Sequence, residues 1–140
     1  MSTASTPSIK AAQEPYSAHL VRRTVQACSV AREAAGAAAE GIATGSSVLL
    51  NSIRQCEREL DRFDMELDSG VTAAITQVTE PEARELLACM KFMIGLERIG
   101  DLLLSFANSA QSAGPRLDPQ DTRELTRMAN GAGEDAERRR

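Results

Sequence analysis

The sequence predicts an all-α protein: an antiparallel three-helix bundle of long helices, spectrin-like in topology, followed by a short C-terminal helix. Three observations carry this expectation. The composition is rich in Ala, Leu, Arg and Glu, which favour helices, while aromatic residues make up only 3% of the chain and Trp is absent. Apolar residues recur at steps of three and four over long stretches. The period-two alternation that marks strands is missing throughout.

Residues 1–13 are small and polar and read as a disordered tail. A first helix is expected from about Glu14-Pro15 to Glu40, with Pro15 in the first turn, where its missing N–H does no harm. Leu20, Thr24, Ala27, Ala31, Ala34, Ala35 and Ala38 give this helix a small-residue face that admits a close neighbour. Gly41 to Gly45 read as a break, and Ser46 or Ser47 as the cap of the second helix. The second helix has the clearest stripe in the chain: Leu49, Ile53, Cys56, Leu60, Phe63, Leu67, Val71, Ala74 and Val78. Thr79 and Glu82 have the spacing of a capping box and should start the third helix, which runs to about Ser112. Its apolar side is Leu86, Met90, Met93, Leu96, Gly100, Leu103, Leu104 and Ala107. Gly114-Pro115 ends it, and Asp118-Pro119 reads as one more start. The last segment keeps only Leu125 and Met128 as apolar points. The expected division is therefore a tail over 1–13, a three-helix domain over 14–112 and a short helix within 118–140. Helices of about 30 residues are ~45 Å long, so the bundle should be a slender rod.

Bulk properties exclude several classes. A chain of 140 residues suggests one domain. Its net charge of −4, from 20 acidic and 16 basic residues, argues against nucleic acid as a partner. Cys28, Cys56 and Cys89 are odd in number and widely spaced, with no C-x-x-C pair, and read as reduced, half-buried helix residues. No apolar run approaches the roughly 18 residues that span a bilayer, and the N-terminus lacks a signal peptide's apolar stretch. A cytoplasmic protein without membrane insertion is expected. Catalytic signatures are missing as well: there is no Gly-rich phosphate loop, Ser/His/Asp set or Cys/His pair. A ferritin-like di-metal centre needs Glu-x-x-His units, and the single histidine, His19, has Tyr16 three positions before it. We expect no enzyme, no catalytic residue and no organic cofactor.

The acidic residues do form a pattern. Glu57, Asp61, Asp64 and Asp68 follow one another at steps of four, three and four, so they share the helix face that flanks the apolar seam. Glu97 and Asp101, four apart, flank the seam of the third helix. Like charges at this spacing repel by a few tenths of a kcal/mol per pair, and more when desolvated. Compensation should come from Arg54, Arg58, Arg62 and Arg98, or from a hard cation such as Mg, Mn or Fe, which carboxylate oxygens suit.

Leu96-Glu97-Arg98-Ile99-Gly100-Asp101 and Asp64-Met65-Glu66-Leu67-Asp68 carry a family resemblance. The chain resembles the phosphate-uptake regulator (PhoU) family, whose three-helix repeats place one acid-x-x-x-Asp motif on the second helix and another, Leu-Glu-Arg-Ile-Gly-Asp, on the third. The separation of the two motifs also fits, and Glu82-Ala83-Arg84 stands where the family often has Asp-Leu-Arg. The resemblance covers roughly residues 16–112. It implies a PhoU-like bundle in a regulator of phosphate uptake and signalling rather than an enzyme. It also implies contacts with a phosphate transporter's ATPase or a sensor kinase, and metal binding through Asp64, Asp68, Glu97 and Asp101, with Glu57 and Asp61 as outer additions. Full members carry two repeats. Here Asp121 to Met128 resembles the opening of a second one, so a homodimer with helix one or helix three at its interface is expected. The alternative is a metal-free helical adaptor or homodimerisation bundle of unrelated role.

Overall fold

The computed structural model describes residues 14–113 and 119–138. Over these residues the chain forms four helices and no strand: α1 (Tyr16–Thr44), α2 (Ser47–Ala74), α3 (Glu80–Ala113) and α4 (Pro119–Arg138). The 1–13 tail, the Gly114-Pro115 stop and the Asp118 cap lie outside the described residues.

The helix ends follow local chemistry. Pro15 stands just before α1, outside its first turn, and its carbonyl accepts the N–H of Ala18 at 3.0 Å. α1 runs a turn further than the expected end at Glu40, because Gly41 stays helical and the break falls at Gly45 alone. Gly45 takes φ 70°, a left-handed conformation that glycine adopts without cost. Gly41 has a different role: a Cβ there would stand 2.9 Å from Leu50 Cδ2, so its bare backbone lets α2 approach. Ser46 caps α2 by accepting the N–H of Leu49 at 3.4 Å. The α3 box closes both ways: Glu82 Oε2 accepts the Thr79 N–H at 2.8 Å, and Thr79 Oγ1 accepts the Glu82 N–H at 3.4 Å. The α2 stripe ends earlier than its spacing suggests. α2 stops at Ala74, and Val78 sits half-buried in the link, packed against the core.

α1 is the central helix, packed against α2, α3 and α4, whereas α4 touches α3 only lightly and does not contact α2. Cross-helix pairs run in descending order: Gly41 with Leu50, Arg23 with Glu66 and Leu20 with Gly70 between α1 and α2. Between α2 and α3 they are Asn51 with Gln111, Arg54 with Asn108 and Leu60 with Gly100. The buried side chains form two clusters along the rod. One joins Leu20, Leu60, Leu67, Leu86, Met93 and Leu96. The other joins Ala34, Ala35, Ala38, Ile42, Ile53 and Leu103, and takes in Ala129 from α4. α4 therefore continues through its two glycines and packs on α1, with Ala129 buried while Met128 points outward. All three cysteines are fully buried rather than half-buried, and none is in a disulfide.

Candidate acidic site between the second and third helices

The α2–α3 edge is built by the capping and packing just described. Leu60 of α2 meets the bare backbone of Gly100 on α3, where a Cβ would stand 2.9 Å from Leu60 Cδ1. This close approach brings the flanks of the two helices together. Glu57 and Asp61 from α2 and Glu97 and Asp101 from α3 line a cleft of ≈230 Å³, with Leu60 as its apolar floor.

The electrostatics show which acids share this space. Burial holds the Glu57 carboxyl above the ordinary glutamate value of 4.5, and the charges of Asp61 and Asp101 push it further up. Glu97 is raised for the same first reason, burial, followed by the charges of Asp64, Asp61 and Asp101. Five of the six sequence-selected acids thus act on one another. Asp68 does not join them: it is exposed, does not line the cleft and raises neither glutamate.

The expected arginine compensation does not form. Arg54 donates to Asn108 Oδ1 at 2.9 Å and Arg58 to Gln55 Oε1 at 2.7 Å. The ion pairs Arg22–Glu14, Arg23–Glu66 and Arg84–Glu80 do not reach the cleft. Arg58 offsets Glu57 only weakly, as the smallest of the influences on it. The cleft is therefore a concentration of negative charge with little protein countercharge.

An all-oxygen donor set of this kind suits a hard cation in chemical type. As the side chains stand, no three His, Cys, Asp or Glu among the described residues are grouped closely enough to hold a metal ion. Carboxylates on helix flanks would have to rotate inward to ligate. The sequence puts the α3 acids and Gly100 on one helix edge, with the bare glycine expected to admit a neighbouring helix and leave room for the acids beside it. The contact of Leu60 with Gly100 that joins them is a cross-helix fact, and no spacing along one helix reveals it.

Fold and cleft together define an all-helical domain with a carboxylate-edged seam and no helix, among the described residues, long and apolar enough to cross a membrane. The family model described as PhoU domain matches residues 24–110, more than half of the chain, and the chain belongs to the PhoU domain family. That family is regulatory and acts through protein–protein contact. No curated protein and no solved structure matches the chain significantly.

Proposed function

We propose that the chain is a PhoU-like regulator of phosphate uptake and phosphate signalling that works in the cytoplasm by protein–protein contact. The family match over residues 24–110 carries this reading. The partner classes that fit are a phosphate transporter's ATPase and a membrane sensor kinase. Deleting the gene should raise phosphate uptake at high external phosphate, and re-expression should lower it again. Unchanged uptake in the deletion strain would overturn the proposal.

On this reading α1, α2 and α3 are the family's antiparallel three-helix repeat, which the descending cross-helix pairs support. α4 is then the opening helix of a second repeat. The expected homodimer is narrowed by α4, which already covers part of the small-residue face of α1, so α3 is the better interface. Light scattering at micromolar concentration should give twice the chain mass.

The cleft is proposed to take a hard cation: Mg, Mn or Fe. Glu57, Asp61, Asp64, Glu97 and Asp101 are the candidate ligands, and Asp68 lies further along the same edge. The uncompensated charge is what supports this. At a hundred times its dissociation constant a bound cation adds about 2.7 kcal/mol of stability. Melting in each cation should rise for the native chain and much less for Asp101→Asn. No rise with any of them favours the second reading, a metal-free helical adaptor.

A further inference from the structure

α3 carries a second periodic pattern on the side opposite its core face. On a helix turning about 100° per residue, Lys91 and Arg98 stand about 200° from Met93 and Gly100, which are buried, so they belong to the solvent-facing back of the helix. Arg84, Lys91 and Arg98 follow one another along that back at steps of seven, and Leu87 and Ile94 each stand three residues after a cation. This alternation of three and four is the repeat by which two helices pair along their length. Leu102 extends the apolar part beyond Arg98. Leu87 and Ile94 are 54% exposed and Leu102 60%, and none of the three joins either core cluster. α4 packs on α1 and leaves this back uncovered. Scattered apolar residues on a surface need no explanation, but a stripe about 22 Å long in helix-pairing register marks an interaction face.

We propose that the back of α3 pairs lengthwise with one helix of a partner protein, a helix that presents a carboxylate every seven residues to Lys91 and Arg98, and a Leu or Ile between them to Leu87 and Ile94. Charge complementarity specifies that occupant. Lys91 and Arg98 are exposed, and neither has an ion-pair partner among the described residues. Arg84 is bridged to Glu80 on its own helix, an exposed i, i+4 pair that holds it weakly. A partner that faced Lys91 and Arg98 with apolar residues alone would cover two charges without a counter-ion, which strongly disfavours it. Carboxylates at the same spacing pair both, and the apolar members of the stripe keep water away from those pairs.

Two other occupants fit the face worse. A second copy meeting it with the α3 helices parallel sets Lys91 against Lys91 and Arg98 against Arg98. Antiparallel, with the stripes overlapping, it sets Arg98 against Leu87 or Ile94 rather than against an acid. Self-association is therefore left to another side of α3. A flat anionic surface such as a membrane would also meet Glu80 and Asp101, which are exposed toward the two ends of the stripe, on a chain of net charge −4. A single helix, about 10 Å across, can end before Glu80 and pass beside Asp101.

The test uses two fluorescein-labelled, helix-forming peptides of about 21 residues with the same Leu every seven positions, one with Glu and one with Lys at the other pairing position. Binding to the full chain is read by fluorescence anisotropy. The Glu peptide should bind saturably and at least about tenfold more tightly than the Lys peptide. The double variant K91E/R98E should reverse that preference, and Ile94→Gln, at an exposed position, should weaken the Glu peptide about tenfold. Helicity of each variant is checked by circular dichroism. If the added acids beside Glu97 and Asp101 unfold K91E/R98E, Lys91→Glu alone should still cut the preference about threefold. The proposal is overturned by absence of saturable binding, by a preference that the charge variants leave unchanged, or by an Ile94→Gln chain that binds as the native one does. It is equally overturned if the chain binds vesicles of anionic phospholipid and neither peptide, or if light scattering shows a dimer that Ile94→Gln makes monomeric. Cation-dependent melting reads the α2–α3 edge and phosphate uptake reads the cell, so either can fail while the peptide binds.

Discussion

A Cβ at position 100 would stand 2.9 Å from Leu60 Cδ1, and Leu60 is itself buried, so any side chain there must move the floor of the acidic cleft. Gly100→Ala gains up to about 1 kcal/mol of helix propensity and sets it against a contact that one leucine methyl can relieve. Its melting temperature should stay close to the native one. Gly100→Leu cannot be absorbed in this way. Overpacking of about 1–3 kcal/mol should lower the midpoint by roughly 3–10 °C in a thermal melt. An unchanged melt for Gly100→Leu would show that this contact does not set the α2–α3 distance. The glutamates beside it give a pH signature. Glu97 is raised from the ordinary 4.5, first by burial and then by Asp64, Asp61 and Asp101. The fold thus favours its protonated form, and the stability this adds is full below 4.5 and disappears as pH rises through the higher folded value. Glu97→Gln stays neutral at every pH. Its stability relative to the native chain, measured by urea unfolding with a chelator present, should therefore grow between pH 4 and pH 7. A constant difference would mean that Glu97 titrates as it does in the unfolded chain.

Each helix end rests on a few named bonds. The reciprocal Thr79–Glu82 box is the only described side-chain cap on α3's start, and Thr79→Ala should cost ~1 kcal/mol, seen as a lower urea midpoint with an unchanged slope. An equal midpoint would mean that the start of α3 is held by packing alone. This box was legible in the sequence because it is local: one hydroxyl and one carboxylate three residues apart. The helices and most of their buried faces were legible for the same reason. Two of the misses are cases in which two neighbouring positions fit the same period. Leu50 rather than Leu49 is the buried leucine at the start of α2, and Ala129 rather than Met128 is buried in α4. Hydrophobicity favoured Met128, but the facing surface of α1 is alanine, which admits a methyl and not a long side chain. Gly41 was misread because a glycine that ends a helix and one that admits a neighbour look alike until the neighbour is placed. Asp68 was grouped with the other acids by its spacing. Counting from the Leu60–Gly100 pair, it comes level with about Met93, where α3 offers no carboxylate, so it stands outside the cleft.

Across the whole molecule the two core clusters differ in what they bury. The one around Leu20, Leu60, Leu67, Leu86, Met93 and Leu96 takes most of its volume from long side chains, with Ala27 and Ala31 as its small members. The other relies on Ala34, Ala35, Ala38, Ala39, Ala107, Ala110 and Ala129, with Ile42, Leu50, Ile53 and Leu103 as its larger members. Burying a Leu or Met stabilises by about 1.5–3 kcal/mol, and a methyl by far less. The rod should therefore be held most firmly around the first cluster and loosen from the end that carries α4. α4 itself has one fully buried side chain among those described and meets essentially one neighbour, so it should open before the rest. Hydrogen exchange followed by mass spectrometry can read this order. Amides in 60–67 and 86–96 should exchange slowest, those in 34–42 and 103–110 faster, and those in 119–138 first. Ala129→Asp puts a charge into the alanine seat and should speed exchange of 119–138 at least tenfold while leaving 60–67 and 86–96 as slow as before. If 60–67 and 86–96 speed up together with α4, the chain unfolds as one cooperative unit, and α4 is as much a part of that unit as the helices around the acidic cleft.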